Sequence, residues 1–285
     1  MKKGVLPAAM AGVLFSLLSP PSHAADLPLK YKAPPPAVAS WTGFYVGGEL
    51  GGKWETTSWS TTSLRDPPFV FGSVVLPPDA SQGRHYDPSS VRAGLYAGYN
   101  WQIAPLWVVG IEGDAAWANG AVTASGFPGC ALAACTFPGS GFNAPVDTTS
   151  LTMRWDASIR GRLGYLITPT FLLYGTGGVA FQDVSASGIC GNLLASFYCN
   201  GAVKVGINPS AITNDTTLVG GTVGLGGEWM FLQHWLFRTE YRYSDFGNHD
   251  DVFKFGFSPV AGDNTYRYRL STQTHLVTVG LAYKF

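Results

Sequence analysis

The chain has 285 residues, of which 46% are hydrophobic, 14% aromatic and only 13% charged, and its 18 basic and 18 acidic residues balance. Soluble domains average about a quarter charged residues, and nucleic-acid binding needs a basic surface. The composition therefore argues against an ordinary soluble domain and against a nucleic-acid partner. After the N-terminal segment, no run of 18 apolar residues occurs, so the sequence predicts no transmembrane helix.

Residues 1–24 have the features of a cleaved secretory signal peptide. Lys2 and Lys3 precede an apolar run, Val5 to Leu18, and the small-residue sequence PPSHA follows. The apolar run is too short to span a bilayer permanently. We therefore predict cleavage near the end of this segment and export to an oxidising compartment. Residues 25–40 are proline-rich and are predicted to form a loose periplasmic lead.

The rest of the chain repeats a two-residue alternation of apolar and polar side chains. Between Trp107 and Asp114, for example, Val109 and Ile111 fall on the face opposite to Glu112. This period is that of a β-strand, whose side chains point alternately to its two faces. Eight segments show it: 41–54, 91–103, 106–117, 152–167, 171–183, 218–230, 235–246 and 275–285.

The connections between these segments alternate in length. A few residues join the second segment to the third, the fourth to the fifth and the sixth to the seventh, whereas long stretches rich in Gly, Pro, Ser and Thr join the others. An up-and-down meander with this pattern has all its short turns at one end, as in a transmembrane barrel. We predict an all-β fold, an eight-stranded antiparallel transmembrane β-barrel over residues 41–285 with short periplasmic turns and four long outer loops.

Aromatic residues near both ends of the segments support this prediction. Two girdles separated by aliphatic and glycine positions are typical of the two membrane interfaces. A soluble barrel such as a lipocalin also alternates, but the girdles, the export signal and the bunching of charges at one height favour the membrane barrel. The girdle near the short turns contains Trp101, Trp107, Tyr165, Phe171, Trp229, Trp235, Tyr283 and Phe285, and the girdle near the long loops contains Trp54, Trp117, Trp155 and Tyr243.

Three stretches resemble a known family. WTGFYVGGELG after the proline-rich lead, YRYSDFG near the end and a last strand finishing on an aromatic residue resemble the alphaproteobacterial outer-membrane immunogenic proteins, porin-like members of the outer-membrane β-barrel family. The resemblance covers residues 41–54 and roughly 152–285. It implies location in the lipid of the outer membrane, no well-defined enzyme activity, and insertion by a barrel assembly machinery. The positions that this machinery would recognise are Val279, Leu281, Tyr283 and Phe285.

The polar faces of the segments carry charges at similar heights above the short turns. An eight-stranded barrel has an interior that side chains can fill, so paired charges are expected to plug it. The alternative is a hydrated, ion-selective channel, because many strand glycines free interior volume. The expected network consists of Glu49, Glu112, Asp114, Arg160, Arg162, Glu228, Arg238, Glu240 and Arg242, with Lys53, Arg92, Arg154 and Asp156 on the same register.

The four cysteines lie in two of the predicted outer loops. Because the protein is predicted to be exported and no cysteine is left over, we predict two local disulfides, Cys130–Cys135 and Cys190–Cys199; free thiols are the alternative. Two loop segments, 69–76 and 202–207, have strand composition. They are expected to extend hairpins outward rather than to add strands to the barrel.

These features predict a structural and surface-interaction role: envelope integrity and display of the loops to an unknown extracellular partner. One alternative is a small diffusion porin. The other is a haem or ligand receptor that uses His85, Tyr86, His249, Tyr266 or Tyr268 in the outer loops. No CxxC, HExxH or CxxCH run is present, so no cofactor or metal is predicted. Lipid hydrolysis is also disfavoured, because Ser271 lies four residues from His275.

Overall fold

The computed structural model describes residues 40–65, 75–76, 83–128, 148–190, 210–255 and 264–285. No helix among these residues is long and apolar enough to cross a membrane. The described residues form ten strands: β1 Gly43–Arg65, β2 Val75–Leu76, β3 Arg84–Tyr86, β4 Ser89–Ala104, β5 Trp107–Ser125, β6 Thr148–Thr168, β7 Phe171–Cys190, β8 Ser210–Leu232, β9 Trp235–Phe255 and β10 Asn264–Lys284.

Eight long strands, β1 and β4 to β10, form a closed ring. Each pairs antiparallel with its neighbours in chain order. β1 also pairs antiparallel with β10, from Tyr45 opposite Lys284 to Arg65 opposite Thr265, so the sheet closes on itself. Closure removes the free sheet edges that the water-free core of a bilayer cannot accommodate. The predicted eight-stranded up-and-down barrel is confirmed.

The two short strands lie outside the ring and pair with the outer part of β1. β2 lies opposite Leu64 and Arg65, and β3 lies opposite residues 57–59. The described end of the predicted segment 69–76 therefore extends the pairing of β1 outward, as expected, and does not enter the barrel. The second predicted extension, 202–207, lies outside the described residues.

Three two-residue turns close one end of the barrel, where the sequence predicts the short connections. A backbone hydrogen bond links each turn to the lower end of the strand that follows its hairpin (β6, β8 or β10), so neighbouring elements are joined around the rim. These bonds run from Leu166 N to Leu106 O (2.9 Å), from Met230 N to Thr170 O (2.8 Å) and from Lys284 N to His234 O (2.7 Å).

The outward-facing side chains divide the barrel into two zones along its axis. From the short turns to the level of Trp54 and Trp117 the exposed side chains are mostly aliphatic or aromatic, and above that level hydroxyl side chains replace them, as in TTSWSTTS at residues 56–63. Seven of the long strands have 19 to 23 residues. Because about 9–11 residues suffice to span a bilayer, the outer part of the barrel projects beyond it.

Lumen glycines accommodate large side chains on the neighbouring strand. Tyr174 lies opposite Gly226, and Tyr96 lies opposite Gly47. A Cβ atom at Gly226 would lie 2.5 Å from the Tyr174 hydroxyl oxygen, and one at Gly47 would lie 2.6 Å from Cζ of Tyr96. At these positions the volume that a glycine leaves is therefore filled by a tyrosine ring.

Replacing Gly226 by alanine is expected to destabilise the barrel. The added methyl group would overlap the Tyr174 ring, and overpacking of this kind costs about 1–3 kcal/mol in the free energy of unfolding. The matched control is Gly221→Ala on the same strand, since a Cβ atom at that exposed position meets nothing within 4 Å. Urea unfolding of the refolded variants in lipid vesicles measures the difference. Equal stability of the two variants would contradict the close approach of Tyr174.

Candidate functional site

The lumen is filled by three layers that follow one another along the barrel axis. A charged layer lies in the middle, and an apolar cluster lies on each side of it. The cluster near the short turns, here the lower cluster, contains Trp41, Tyr45, Tyr96, Val108, Leu166, Leu172, Tyr174, Met230, Leu236 and Ala282. The cluster on the opposite side, here the outer cluster, contains Trp59, Tyr86, Leu151, Met153, Ala180, Val184, Ala186, Leu218, Phe246, Phe253, Tyr266, Tyr268 and Leu270.

Glu112 of β5 is the hub of the lower part of the charged layer. It accepts a hydrogen bond from Arg238 Nη1 at 2.6 Å, from Arg160 Nη2 at 2.7 Å and from the Tyr45 hydroxyl at 2.7 Å. Arg238 also donates from Nη2 to Glu49 Oε2 at 2.8 Å. These bonds connect β1, β5, β6 and β9 across the lumen.

Two more carboxylates, Glu228 and Glu240, form ion pairs at the same level of the lumen. Arg162 Nη2 lies 2.6 Å from Glu228 Oε2, and its Nη1 donates to the Tyr45 hydroxyl at 3.0 Å. Glu240 bonds to Arg160 and accepts from the Tyr174 hydroxyl at 2.9 Å. Both carboxylates therefore receive a guanidinium from β6.

Asp114 is the hub of the upper part of the charged layer. It accepts from Arg242 Nη1 at 2.8 Å and also bonds to Arg92 and to the Ser158 hydroxyl. Arg92 in turn donates from Nε to Asp156 Oδ1 at 2.8 Å and bonds to Glu49. Because Glu49 also contacts Arg238, the two hubs belong to one network.

Lys53 completes the charged layer on its outer side. Its ammonium group lies 2.8 Å from Glu55 Oε1, 3.0 Å from Asp156 Oδ2 and 2.6 Å from Gln182 Oε1. A cavity of about 20 Å³ remains beside Lys53, Asp156 and Gln182, which is room for about one water molecule.

The structure brings all nine predicted network residues together in the lumen, and each is at most 6% exposed. Lys53, Arg92 and Asp156, expected on the same register, join them. Glu55 was missed because the alternation was read only to residue 54, whereas β1 continues to Arg65. Six cationic and seven acidic side chains therefore face one another: Lys53, Arg92, Arg160, Arg162, Arg238 and Arg242 against Glu49, Glu55, Glu112, Asp114, Asp156, Glu228 and Glu240.

The prediction for Arg154 is wrong. Its side chain is 49% exposed and bonds to Asp183 at 2.7 Å and to Asp215 at 3.3 Å on the outer wall. The ladder between β6 and β7 shifts register between Thr152 and Asp156. This irregularity breaks the two-residue alternation, so that Arg154 and its neighbour Trp155 both face outward.

Lumen tyrosines were also missed by the sequence analysis. The Arg238 guanidinium lies 3.4 Å from the centre of the Tyr96 ring, and the Arg162 guanidinium lies 4.1 Å from the centre of the Tyr174 ring. Cation–π contacts of this kind are strongest where both groups are desolvated. The sequence could have indicated the position of Tyr96, which lies four residues from Arg92 and therefore on the same face of the strand.

Each end of the lumen is closed by an aromatic residue with a hydrogen bond across the barrel. At the lower end Trp41 is fully buried, and its indole N–H donates to the Pro169 carbonyl at 3.0 Å. At the outer end Trp59 stacks on Tyr268 with ring centres 4.7 Å apart. The Tyr266 hydroxyl there donates to the Pro128 carbonyl at 2.7 Å.

The remaining predicted sites fall in different places. Cys190 ends β7, but Cys130, Cys135 and Cys199 lie outside the described residues, so both disulfides stay predictions. The haem candidates Tyr86, Tyr266 and Tyr268 are buried in the outer cluster, whereas His85 is exposed and bonds to Ser58, and His249 lies 3.4 Å from the Thr216 hydroxyl. The predicted assembly positions Val279, Leu281, Tyr283 and Phe285 all face outward, toward lipid.

A closed ring of strands with an apolar outer face, aromatic girdles and a charged interior defines an integral outer-membrane β-barrel protein. Residues 31–285 match the family described as the outer membrane protein beta-barrel domain, and the chain belongs to this family. The predicted resemblance and the predicted location in the outer membrane are therefore confirmed.

Several known proteins are similar to this chain. The 31 kDa outer-membrane immunogenic protein of Brucella melitensis is 29% identical over 99% of this chain and 100% of the relative. The 22 kDa outer membrane protein of Rhizobium leguminosarum bv. viciae is 27% identical over 83% of this chain and 79% of the relative. Among solved structures, the outer membrane protein OprG of Pseudomonas aeruginosa superposes with a TM-score of 0.46 at 16% identity, covering 87% of this chain and 98% of that one.

Removing one partner of a central ion pair is expected to destabilise the protein strongly. Glu240→Ala would leave Arg160 without one of its carboxylates and the Tyr174 hydroxyl without its acceptor, at a cost of about 3–5 kcal/mol. Asp250→Ala is the control, because the pair of Asp250 with Arg269 is about half exposed and such pairs contribute about 1 kcal/mol or less. Urea unfolding in lipid vesicles measures both. A loss for Glu240→Ala no larger than for Asp250→Ala would refute a tightly packed charged layer.

The outer cluster is expected to lose stability in alkaline solution. Burial raises the pKa of Tyr266 and of Tyr268, so their neutral forms are favoured in the folded protein. Unfolded tyrosine has a pKa of about 10, so this contribution is complete below pH 10 and is lost as the pH rises above it. Tyrosinate absorbance and unfolding should be followed together between pH 9 and pH 12. Tyr268→Phe should reduce the pH dependence, and an unchanged slope would contradict the burial of its hydroxyl.

Proposed function

We propose that this protein is a closed barrel with a structural and surface role in the outer membrane, and that it does not conduct solutes. The observation that supports this role is the filled lumen, in which a layer of paired charges lies between two apolar clusters. A structural barrel strengthens the envelope by adding a rigid, fully hydrogen-bonded wall to the bilayer. Its projecting outer part presents loops to the surroundings.

The path through the lumen would have to pass three barriers. Trp41, which is fully buried, crosses the lower end, and Trp59 and Tyr268 close the outer end with no exposure of their side chains. Between them the arginines and carboxylates contact one another instead of lining an open wall. An ion entering this layer would have to break pairs that stabilise buried charge, at several kcal/mol for each charge left unpaired.

The projecting wall supports the surface part of the proposal. The strands continue well above the outer girdle, and there the outward face carries hydroxyl and charged side chains. The predicted loops would follow from this wall on the outer side. Two relatives from Brucella are named outer-membrane immunogenic proteins, which agrees with a surface that is accessible outside the cell.

The described residues offer little support for catalysis. His275 bonds to the Tyr241 hydroxyl at 2.8 Å. Ser271 lies four residues away on the same strand, or about 13 Å at 3.3 Å per residue, which is beyond hydrogen-bond reach. The alternative, a solute-conducting porin, differs from the proposed role in the conductance that it would give a lipid bilayer.

Planar-bilayer recording of the refolded full chain tests the proposal. We expect only small or flickering conductance, because ion pairs and aromatic clusters fill the lumen. A general diffusion porin inserted into the same membranes is the positive control, and protease protection of vesicle-bound protein confirms insertion. Steady, large, ion-selective conductance would refute the closed lumen and establish the porin alternative.

A further inference from the structure

The charged layer contains one more acid than base among the residues that the structure describes. Seven carboxylates meet six cationic side chains there. An uncompensated charge is strongly unfavourable in an interior from which water is excluded. A single proton on one of the seven carboxyl groups would make the layer neutral, and the ion-pair distances identify which group is suited to hold it.

Glu55 of β1 shares its cation with another acid. Its side chain is 2% exposed, and Lys53 is the one cation of the described chain within ion-pairing distance, with Nζ 2.8 Å from Glu55 Oε1. The same Nζ lies 3.0 Å from Asp156 Oδ2 and 2.6 Å from Gln182 Oε1. The three N–H groups of the ammonium therefore serve three acceptors, and Glu55 receives only part of one positive charge.

Glu228 of β8 also has a single close cation, but the two are paired more exclusively. Arg162 Nη2 lies 2.6 Å from Glu228 Oε2, and the other acidic neighbour of Arg162, Glu112, is 3.7 Å from its guanidinium. Glu112 is itself compensated by Arg238 at 2.6 Å. Arg162 thus serves mainly Glu228, whereas Lys53 divides its charge between two carboxylates.

Glu55 lies at the junction between the charged layer and the outer cluster. It follows Trp54 of the outer girdle, and Trp59 of the outer cluster lies four residues further along the same inward face. The cavity of about 20 Å³ beside Lys53 is also lined by Thr274, which pairs with Glu55 between β10 and β1. The Thr274 hydroxyl has no hydrogen-bond partner among the described residues. The junction therefore offers room and a polar group for about one water molecule.

Two charged groups act on Glu55, namely Lys53 on its own strand and Asp156 of β6. Asp156 is in turn held by Arg92 of β4 at 2.8 Å. Because Glu55 lies above the lipid-facing zone, its titration is that of a buried group near the outer solution. Burial raises the pKa of Glu55 by more than the attraction of Lys53 lowers it, and the repulsion of Asp156 raises it further. The other positions around Glu55 are uncharged: Gly120 of β5, Pro88 and Ser90 next to it, Gln182 of β7 and Thr274 of β10.

We propose that Glu55 is a proton-binding site that controls the junction between the charged layer and the outer cluster. In acidic medium a proton from the outer solution binds to the Glu55 carboxylate, six cations then face six carboxylates, and Lys53 is left to Asp156. In alkaline medium the proton returns to water. The surplus negative charge then draws water into the adjoining cavity and loosens the packing below Trp59. This inference rests on the proposed closed lumen, whose outer barrier the proton regulates.

The first test compares the full chain with Glu55→Gln, which keeps the shape of the protonated side chain but cannot titrate. Glutamate in an unfolded chain has a pKa of about 4.3. Because the pKa is higher in the folded protein, the stabilisation is complete below that pH and is lost as the pH rises through the folded value. The unfolding constant of the unaltered protein, divided by that of Glu55→Gln, should therefore rise by up to about tenfold per pH unit and then level off. Urea unfolding in lipid vesicles measures this ratio.

The matched control is Glu228→Gln, which removes a carboxylate from the same layer but leaves Arg162 without its close partner. This variant retains Glu55, so its unfolding constant should be higher throughout and should change with pH in parallel with that of the unaltered protein. Infrared spectroscopy gives a readout on the folded, unaltered protein. A protonated carboxyl band that is missing from Glu55→Gln should persist to higher pH than in free glutamate. A ratio for Glu55→Gln that does not change with pH, or the absence of this band, would overturn the proposal.

Planar-bilayer recording connects the proton to the barrier. Brief conductance events of the unaltered protein should be more frequent at about pH 8 than at about pH 5, and equally rare at both for Glu55→Gln, because only the ionised carboxylate loosens the junction. Steady, large conductance at every pH would refute the closed lumen and this inference together. A closed lumen with the same event rate at both pH values would overturn this inference alone and leave the proposed function standing.

Discussion

Neutralisation of charge inside a narrow lumen is the constraint on which the rest of the structure depends. A single unpaired charge in a dry interior costs several kcal/mol, so each cation in the layer must reach an acid on another strand. The pairs accordingly run across the barrel: Arg238 of β9 bonds to Glu49 of β1, and Arg162 of β6 bonds to Glu228 of β8. The network therefore connects strands that the backbone ladder does not place side by side, and it holds the walls at a fixed separation.

The tyrosines and glycines of the lumen follow from that separation. Long side chains can meet at the centre only if the neighbouring strand leaves room for them. A glycine opposite each tyrosine ring leaves this room, because it has no side chain. Tyr96 over Gly47 and Tyr174 over Gly226 show the arrangement, and each ring also contacts a guanidinium. The same glycines could have indicated an open channel. In the folded barrel their volume belongs to the neighbouring ring.

Much of this arrangement could be predicted from the sequence because a strand has a period of two. Glu112 and Asp114 lie an odd number of residues after the outward-facing Trp107, so they face the lumen whichever residues they pair with. The prediction failed for Arg154, where a shift in the β6–β7 ladder reverses the faces, and for Glu55, where the apolar residues that mark the outer face give way to hydroxyls. Pairing partners could not be predicted either, because periodicity gives the face and height of a residue but not the reach of its side chain.

A charged lumen also solves a problem that the membrane creates. The outer face of the barrel must be apolar, and if the inner face were apolar as well, a strand displaced by one residue would be almost as stable as the native one. With arginines inside, the same displacement places them in lipid at a cost of about 2–4 kcal/mol each. The position of the irregularities agrees with this view. In the described ladders the shifts occur beside the short turns, as at Gln102 and Leu166, or at the outer girdle and above it, as at Trp117 and Ser271. Between these levels only the strands separate the charged layer from lipid, and the alternation is uninterrupted. A displacement of one residue would be most costly there, because it would move charged side chains into lipid.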